Sequence, residues 1–213
     1  MTLAFDRADV KIELYENNRL VDFESGEIQL TDYGISGICV FNLSHYVSRG
    51  LSNDKREVMK INFVPFASKD IYEWMEEYNQ KNPHKNLKDM LEGFLNCKLA
   101  RIIILKSHLL STSTYSSLGF GEKQLLCENL KHFPVEIIDT KGFDYGQICS
   151  GGVRLNEINS NTMESKKVKG LYVVGELLDL NGICGGYNLT TCWISGILAG
   201  RSLGDMNDLF ETN

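Results

Sequence analysis

The chain has 213 residues, 43% hydrophobic and 23% charged, with 22 basic and 28 acidic residues and a formal net charge of −6. This is globular composition, enough for one domain or two lobes, and only 3 prolines argue against a disordered stalk. The acidic balance, with no basic run longer than Lys166-Lys167, excludes a sequence-independent nucleic-acid binder and a polybasic membrane patch.

The first third reads as strands. Val10, Ile12 and Leu14 alternate with Lys11 and Glu13, the period-2 pattern of a half-buried strand. Asn17-Asn18 suits a tight hairpin turn. Val21 and Phe23 alternate again, Ser25-Gly26 is expected to turn the chain, and Ile28 and Leu30 continue the pattern. Ile38–Val47 is apolar on most sides; helix and buried strand are both open, with helix favoured after the glycine-flanked Gly34–Gly37. A further strand fits Met59, Ile61 and Phe63, stopped by Pro65.

The middle third reads as helices. Ile71, Trp74, Met75 and Tyr78 fall at i, i+3, i+4 and i+7, and Leu87, Met90, Leu91, Phe94 and Leu95 repeat that spacing after an Asn86 N-cap. Leu99–Leu105 and Glu122–Lys131 supply two more. Trp74 and its neighbours belong to a core rather than to a ligand stripe.

The last third concentrates glycine. Eleven of the 19 glycines lie between Gly142 and Gly200, where an even spread would give about five. Gly170–Glu176 reads as a short buried strand ending in a glycine and a carboxylate. Gly182, Gly185 and Gly186 follow, and then an apolar helix, Leu189–Leu203, containing Gly196-x-x-x-Gly200. A strand, a glycine-rich loop and a helix N-terminus present backbone N–H groups and a positive helix end to an anionic or carbonyl-bearing ligand. The plain alternative is a glycine-rich turn with a surface glutamate.

At these residues the chain resembles the C-terminal part of the HI0933-like flavoproteins, FAD-dependent oxidoreductases also described as aminoacetone-oxidase-like or BaiN-like. The matching motifs are SGGV (150–153), TMESK (162–166), GLYVVGELLD (170–179), GGYNL (185–189) and SGILAG (195–200), with TDYGISG (31–37) upstream. The resemblance implies an α+β chain. Residues 1–141 would be a β pseudobarrel insert with a helical part at about 68–131, and a returning strand is expected near Pro134–Thr140. Residues 142–213 would be the returning segment of an FAD-binding domain. It also implies that Gly175 and Glu176 lie along the pyrophosphate and ribityl chain of FAD. Gly185, Gly186, Tyr187, Asn188 and Leu189 would lie under the isoalloxazine.

The chain departs from the family pattern at three places. Asp32 replaces a histidine, Ile38 replaces a proline, and Thr190-Thr191-Cys192 replaces a Q-W-A stretch. No G-x-G-x-x-G occurs; the nearest string, Gly119-Phe120-Gly121-Glu122, lacks the third glycine. The sequence therefore reads as a flavoprotein fragment contributing the substrate-side insert and the flavin side of the FAD site. It is expected to lack FAD alone, to need a dinucleotide-binding segment or partner chain, and to self-associate. The alternative is a non-catalytic substrate-cap or interaction module. An in-frame G-x-G-x-x-G upstream of Met1 would separate the two.

No catalytic residue is singled out. The four histidines fit no metal pattern, the six cysteines contain no C-x-x-C, and the N-terminus carries acids where a secretory signal needs bases. With no apolar stretch of about 20 residues, the expectation is a cytoplasmic protein acting on a small molecule, without nucleic acid or membrane.

Overall fold

The computed structural model describes residues 6–67 and 70–210. Two compact units emerge, residues 1–140 and 141–213. The chain is mixed α/β.

The first unit is built on a curled, half-barrel antiparallel sheet of order β3-β2-β1-β4-β5. Its strands are β1 (Asp6–Glu16), β2 (Arg19–Leu30), β3 (Ile35–Ser36), β4 (Glu57–Asn62) and β5 (Phe133–Ile137). Asn17 and Asn18 take φ of 48° and 67°, the positive pair that a two-residue hairpin turn requires. The alternation does what the pattern dictates: Val10, Ile12, Leu14, Met59 and Ile61 are buried on one face. Lys11 and Glu13 face outward and bond to each other at 3.1 Å.

The turn expected at Ser25-Gly26 does not occur. β2 runs unbroken through it, with Gly26 opposite Val10 and Ser25 opposite Lys11. Val21 and Phe23 share parity with Ser25, not with Ile28 and Leu30, so a continuous strand puts the first pair outside and the second inside. Phe23 is 56% exposed and sits beneath the Lys11 ammonium, 4.8 Å from its ring centroid, while Ile28 is buried. Pairing along all of β1 outweighs hiding two apolar side chains.

Ile38–Leu51 forms helix α1, burying Cys39, Leu43 and Val47 in the same core as the sheet. The helical part comprises α2 (Ile71–Lys81), α3 (Leu87–Leu91), α4 (Cys97–Lys106) and α5 (Phe120–Lys131). Its expected start at residue 68 lies outside the described residues. Asp70, Asn86 and Asn96 each accept a bond from a first-turn backbone N–H. The periodicity that joined Leu87 to Leu95 belongs to two pieces. Gly93 weakens the helix and Asn96 caps a new one, so α3 ends at Leu91. Trp74 stacks on Tyr78 and meets Phe94 edge-on at 5.1 Å, packed against the core as expected.

The second unit carries little regular structure before α6 (Tyr187–Phe210). Its small core is Ile158, Met163, Val173, Leu178 and Ala199. The strand expected at Gly170–Glu176 is reduced to isolated bridges, Glu164 with Tyr172 and Val153 with Leu178. Ser165 donates to the Leu171 carbonyl at 2.7 Å and Val173 to that of Met163 at 3.0 Å. The chain then enters a 3-10 turn, Gly175–Leu177, at once. A lone segment with no ladder on either side cannot satisfy its amides as a strand. No helix among the described residues is long and apolar enough to cross a membrane.

Candidate functional site

The glycine-rich loop and the start of α6 are organised by one side chain. Asn188 accepts the Gly182 N–H through Oδ1 at 2.8 Å and donates from Nδ2 to the Gly182 carbonyl at 3.0 Å. That double bond ties the loop's first glycine to the helix's first turn. Between them Gly185 and Gly186 take φ of 133° and 95°. At Gly186 a Cβ would meet no heavy atom within 4 Å, so the space above its backbone is open.

The first helical bond of α6 runs from the Thr190 N–H to the Gly186 carbonyl at 3.0 Å. The N–H groups of Tyr187, Asn188 and Leu189 precede it and have no helix carbonyl in reach. The first turn carries no acidic residue, so nothing on it offsets the positive helix end. Tyr187 and Leu189 are both more than half exposed.

Gly175 and Glu176 belong to the 3-10 turn Gly175–Leu177, which packs on α6 farther along that helix. The Gly175 N–H donates to the hydroxyl of Ser195 at 3.0 Å, and that buried hydroxyl donates onward to the Thr191 carbonyl at 2.7 Å. Gly175 also faces Cys192, whose Sγ would lie 3.6 Å from a Cβ at this position. The Glu176 carboxylate accepts the Cys149 N–H at 2.6 Å, so one of its oxygens is committed to the segment before Gly151. Of the seven residues expected at the cofactor, Gly185, Gly186, Tyr187, Asn188 and Leu189 lie on the loop and the first turn of α6, while Gly175 docks on that helix at Cys192 and Ser195 and Glu176 bonds Cys149. Glu176 is additionally an anchor for residue 149, which spacing alone does not reveal.

Two features escaped the sequence reading. Ser195, the serine of SGILAG, docks the Gly175 turn on α6. An apolar cleft of about 350 Å³ also opens beside the helix, lined by Leu155, Ile158, Met163, Leu178, Ile194 and Leu198. Its lining comes from two stretches, 155–163 and 178–180, and the helix, so no single periodic stretch signals it.

The three departures sit as follows. Asp32 is exposed in the β2–β3 connection, where the Thr31 N–H and hydroxyl both donate to the Gly34 carbonyl. Ile38, at the start of α1, is 58% exposed. The hydroxyls of Thr190 and Thr191 are turned back onto the carbonyls of Gly186 and Tyr187. Among the described residues no group of three or more His, Cys, Asp or Glu side chains could hold a metal.

A glycine loop whose backbone is open above it, leading into a helix end free of acids, is an arrangement for binding an anionic or carbonyl-bearing ligand through backbone amides. The family model described as "HI0933-like protein Rossmann domain" matches residues 87–202, more than half of the chain. The chain belongs to the HI0933-like family.

Curated relatives that align with it include the following three. It is 36% identical over 197 residues to the "3-dehydro-bile acid delta(4,6)-reductase" of Clostridium scindens, an alignment covering 92% of this chain and 48% of that protein. It is 31% identical over 173 residues to the "Ribosomal RNA dihydrouridine synthase" of Escherichia coli, covering 81% and 41%. The Haemophilus influenzae protein of the same name is 28% identical over 177 residues, covering 83% and 42%. The chain spans about half the length of these relatives.

Proposed function

We propose that this chain is the substrate-side insert and the flavin-side portion of an FAD-dependent oxidoreductase. Residues 1–141 serve as the insert, and 142–213 complete an FAD-binding domain begun by a dinucleotide-binding segment or partner chain. The observation that carries this reading is the glycine loop at α6. Gly186 has the open backbone that a flat ring needs, and the N–H groups of residues 187–189 have no helix partner. Those amides would hold the pyrimidine edge of the flavin, where negative charge gathers on reduction. Gly175 and Glu176 would follow its ribityl chain.

The groups present fit FAD. A Cβ at Gly186 would occupy the space above the loop, and the helix end has no competing carboxylate. When bound, FAD supplies hydride transfer. What this chain adds is positioning. Asn188 keeps the loop in register through Gly182, and Ser195 holds the Gly175 turn on the helix.

The relatives' names point to one reaction class, reduction of a ring carbon–carbon double bond conjugated to a carbonyl. A delta(4,6)-reductase and a dihydrouridine synthase both act on such a bond. Between their two substrate classes a net charge of −6 favours a small molecule over RNA. Such a protein requires a partner surface, and α6 supplies one: Leu189, Trp193 and Ile197 on it are each more than half exposed.

The test is a chimaera joining the N-terminal half of the Clostridium scindens reductase to residues 1–213. It should carry FAD and, once reduced, be reoxidised without oxygen by a conjugated cyclic enone. Reoxidation by uridine-containing RNA alone would move the substrate class. A chimaera that folds but holds no flavin would favour the second reading, an interaction module without a redox role.

A further inference from the structure

The C-terminal end of α1 meets β4 at a contact that the flavin reading does not involve. Glu57, the first residue of β4, is 1% exposed, yet neither of its carboxyl oxygens has a hydrogen-bond partner. It packs on Gly50 of α1. A Cβ on Gly50 would overlap Glu57 Oε1 outright and would lie 3.3 Å from Glu16 Oε1. The two carboxyl groups are therefore within about 5 Å of one another, as their cross-strand pairing on β1 and β4 also requires.

The surrounding charges do not neutralise Glu57. From the loop before β4, Lys55 gives its ammonium to the other oxygen of Glu16 at 2.9 Å. From α1, the Arg49 guanidinium lies over the Tyr46 ring. From β5, the residue beside Glu57 is Ile137, and the neighbouring Glu136 is bonded to Arg56. Among the described residues, Glu16 and Lys55 are the charges that act on the buried carboxyl. Burial first, and Glu16 second, push it above the usual carboxylate range, with Lys55 drawing it partly back.

An ionised carboxylate without a single donor is the costlier occupant of such a site. The neutral acid has one O–H to satisfy, and the Glu16 carboxylate, within about 5 Å, is the neighbouring acceptor toward which it can turn. The helix end is tied here as well: the Asn53 and Lys55 N–H groups both donate to the Gly50 carbonyl, at 2.9 and 3.1 Å. We propose that Glu57 is a proton-operated latch between β4 and the end of α1, closing the helix against the sheet as the neutral acid and loosening it on ionisation. A carboxyl raised in the folded state stabilises it fully below the ordinary glutamate range, and that stability is lost as pH rises through the raised value.

The test uses the 213-residue chain with carboxyl-labelled glutamate, followed by NMR between about pH 4 and about pH 9, a span that brackets ordinary glutamate titration. Glu57 should titrate at the highest pH of all glutamates, and Glu16→Gln should bring its midpoint down. Amide protection of Val47–Leu51, corrected for intrinsic exchange, should fall as Glu57 ionises. Glu57→Gln, which keeps a donor for Glu16, should hold that protection and melt about 3 °C or more above the wild type at the alkaline end only. Should Glu57→Gln fail to fold, the wild-type titration and protection still decide. A Glu57 midpoint among the ordinary glutamates, or protection of Val47–Leu51 indifferent to pH, overturns the latch.

Discussion

Replacing Asn188 with alanine isolates the one side chain that holds the glycine loop to α6. The change removes two bonds to Gly182, of 2.8 and 3.0 Å, both partly buried. Each neutral bond contributes a net of about 0.5–1.5 kcal/mol, and partial exposure favours the lower half of that range, so the loop loses about 1.5 kcal/mol. Alanine improves helix propensity at the same position by a few tenths of a kcal/mol, which partly offsets the loss globally but not at Gly182. The melting temperature should therefore fall by only about 2–4 °C, while local opening at the loop rises roughly tenfold. Hydrogen exchange resolved at the Gly182 amide reads this directly. Asn188→Asp, which keeps the acceptor and loses the donor, should fall between the two. An Asn188→Ala chain whose Gly182 amide exchanges at the wild-type rate would refute the argument that this side chain organises the loop.

The other predictions bear on the scaffold and on the exposed helix. Ile12→Ala, in the fully buried centre of β1, should cost about 2–5 kcal/mol in urea unfolding, and less than about 1 kcal/mol would mean that the core is misassigned. Asp70→Ala removes the α2 cap and should cost about 1 kcal/mol at neutral pH. Bonds from Lys131 and the Tyr72 N–H hold the Asp70 carboxyl below the usual range. That stability is present above the ordinary Asp value, so the gap between variant and wild type should close as pH falls through the lowered one; a gap independent of pH would contradict it. Ile197→Glu on the exposed face of α6 should reduce any self-association of the isolated chain in sedimentation velocity, and an unchanged distribution would place the contact elsewhere.

The period-2 strands and capped helices of the first unit were legible because their signals are local. Val10, Ile12 and Leu14 alternate within one strand, and Asn86 and its first-turn partner lie three residues apart. Ser25-Gly26 misled because turn-forming residues do not reveal that eleven residues of β1 wait to pair with the strand carrying them. Gly170–Glu176 misled for the converse reason. Its apolar run suits a buried strand, but strand structure needs neighbours, and among the described residues it finds only single bridges. At the candidate site the glycines were visible as composition, and their geometry was not. Asn188 gripping Gly182, and Ser195 receiving the Gly175 N–H twenty residues away, are tertiary facts. Glu57 left no trace in the pattern either. Its place at the edge of a β-strand resembles any surface glutamate until Gly50 is packed upon it.

The central claim is that the loop before α6 lies against a flavin ring, and the most direct measurement is the flavin content of the Clostridium scindens chimaera with and without Gly186→Val. Valine cannot readily adopt φ of 95°, and its side chain would fill the open space above the loop. The parent chimaera should be yellow with stoichiometric FAD, the variant should fold yet retain almost none, and residues 1–213 alone should be colourless. A folded Gly186→Val chimaera with full FAD occupancy would contradict the placement and move the flavin away from α6.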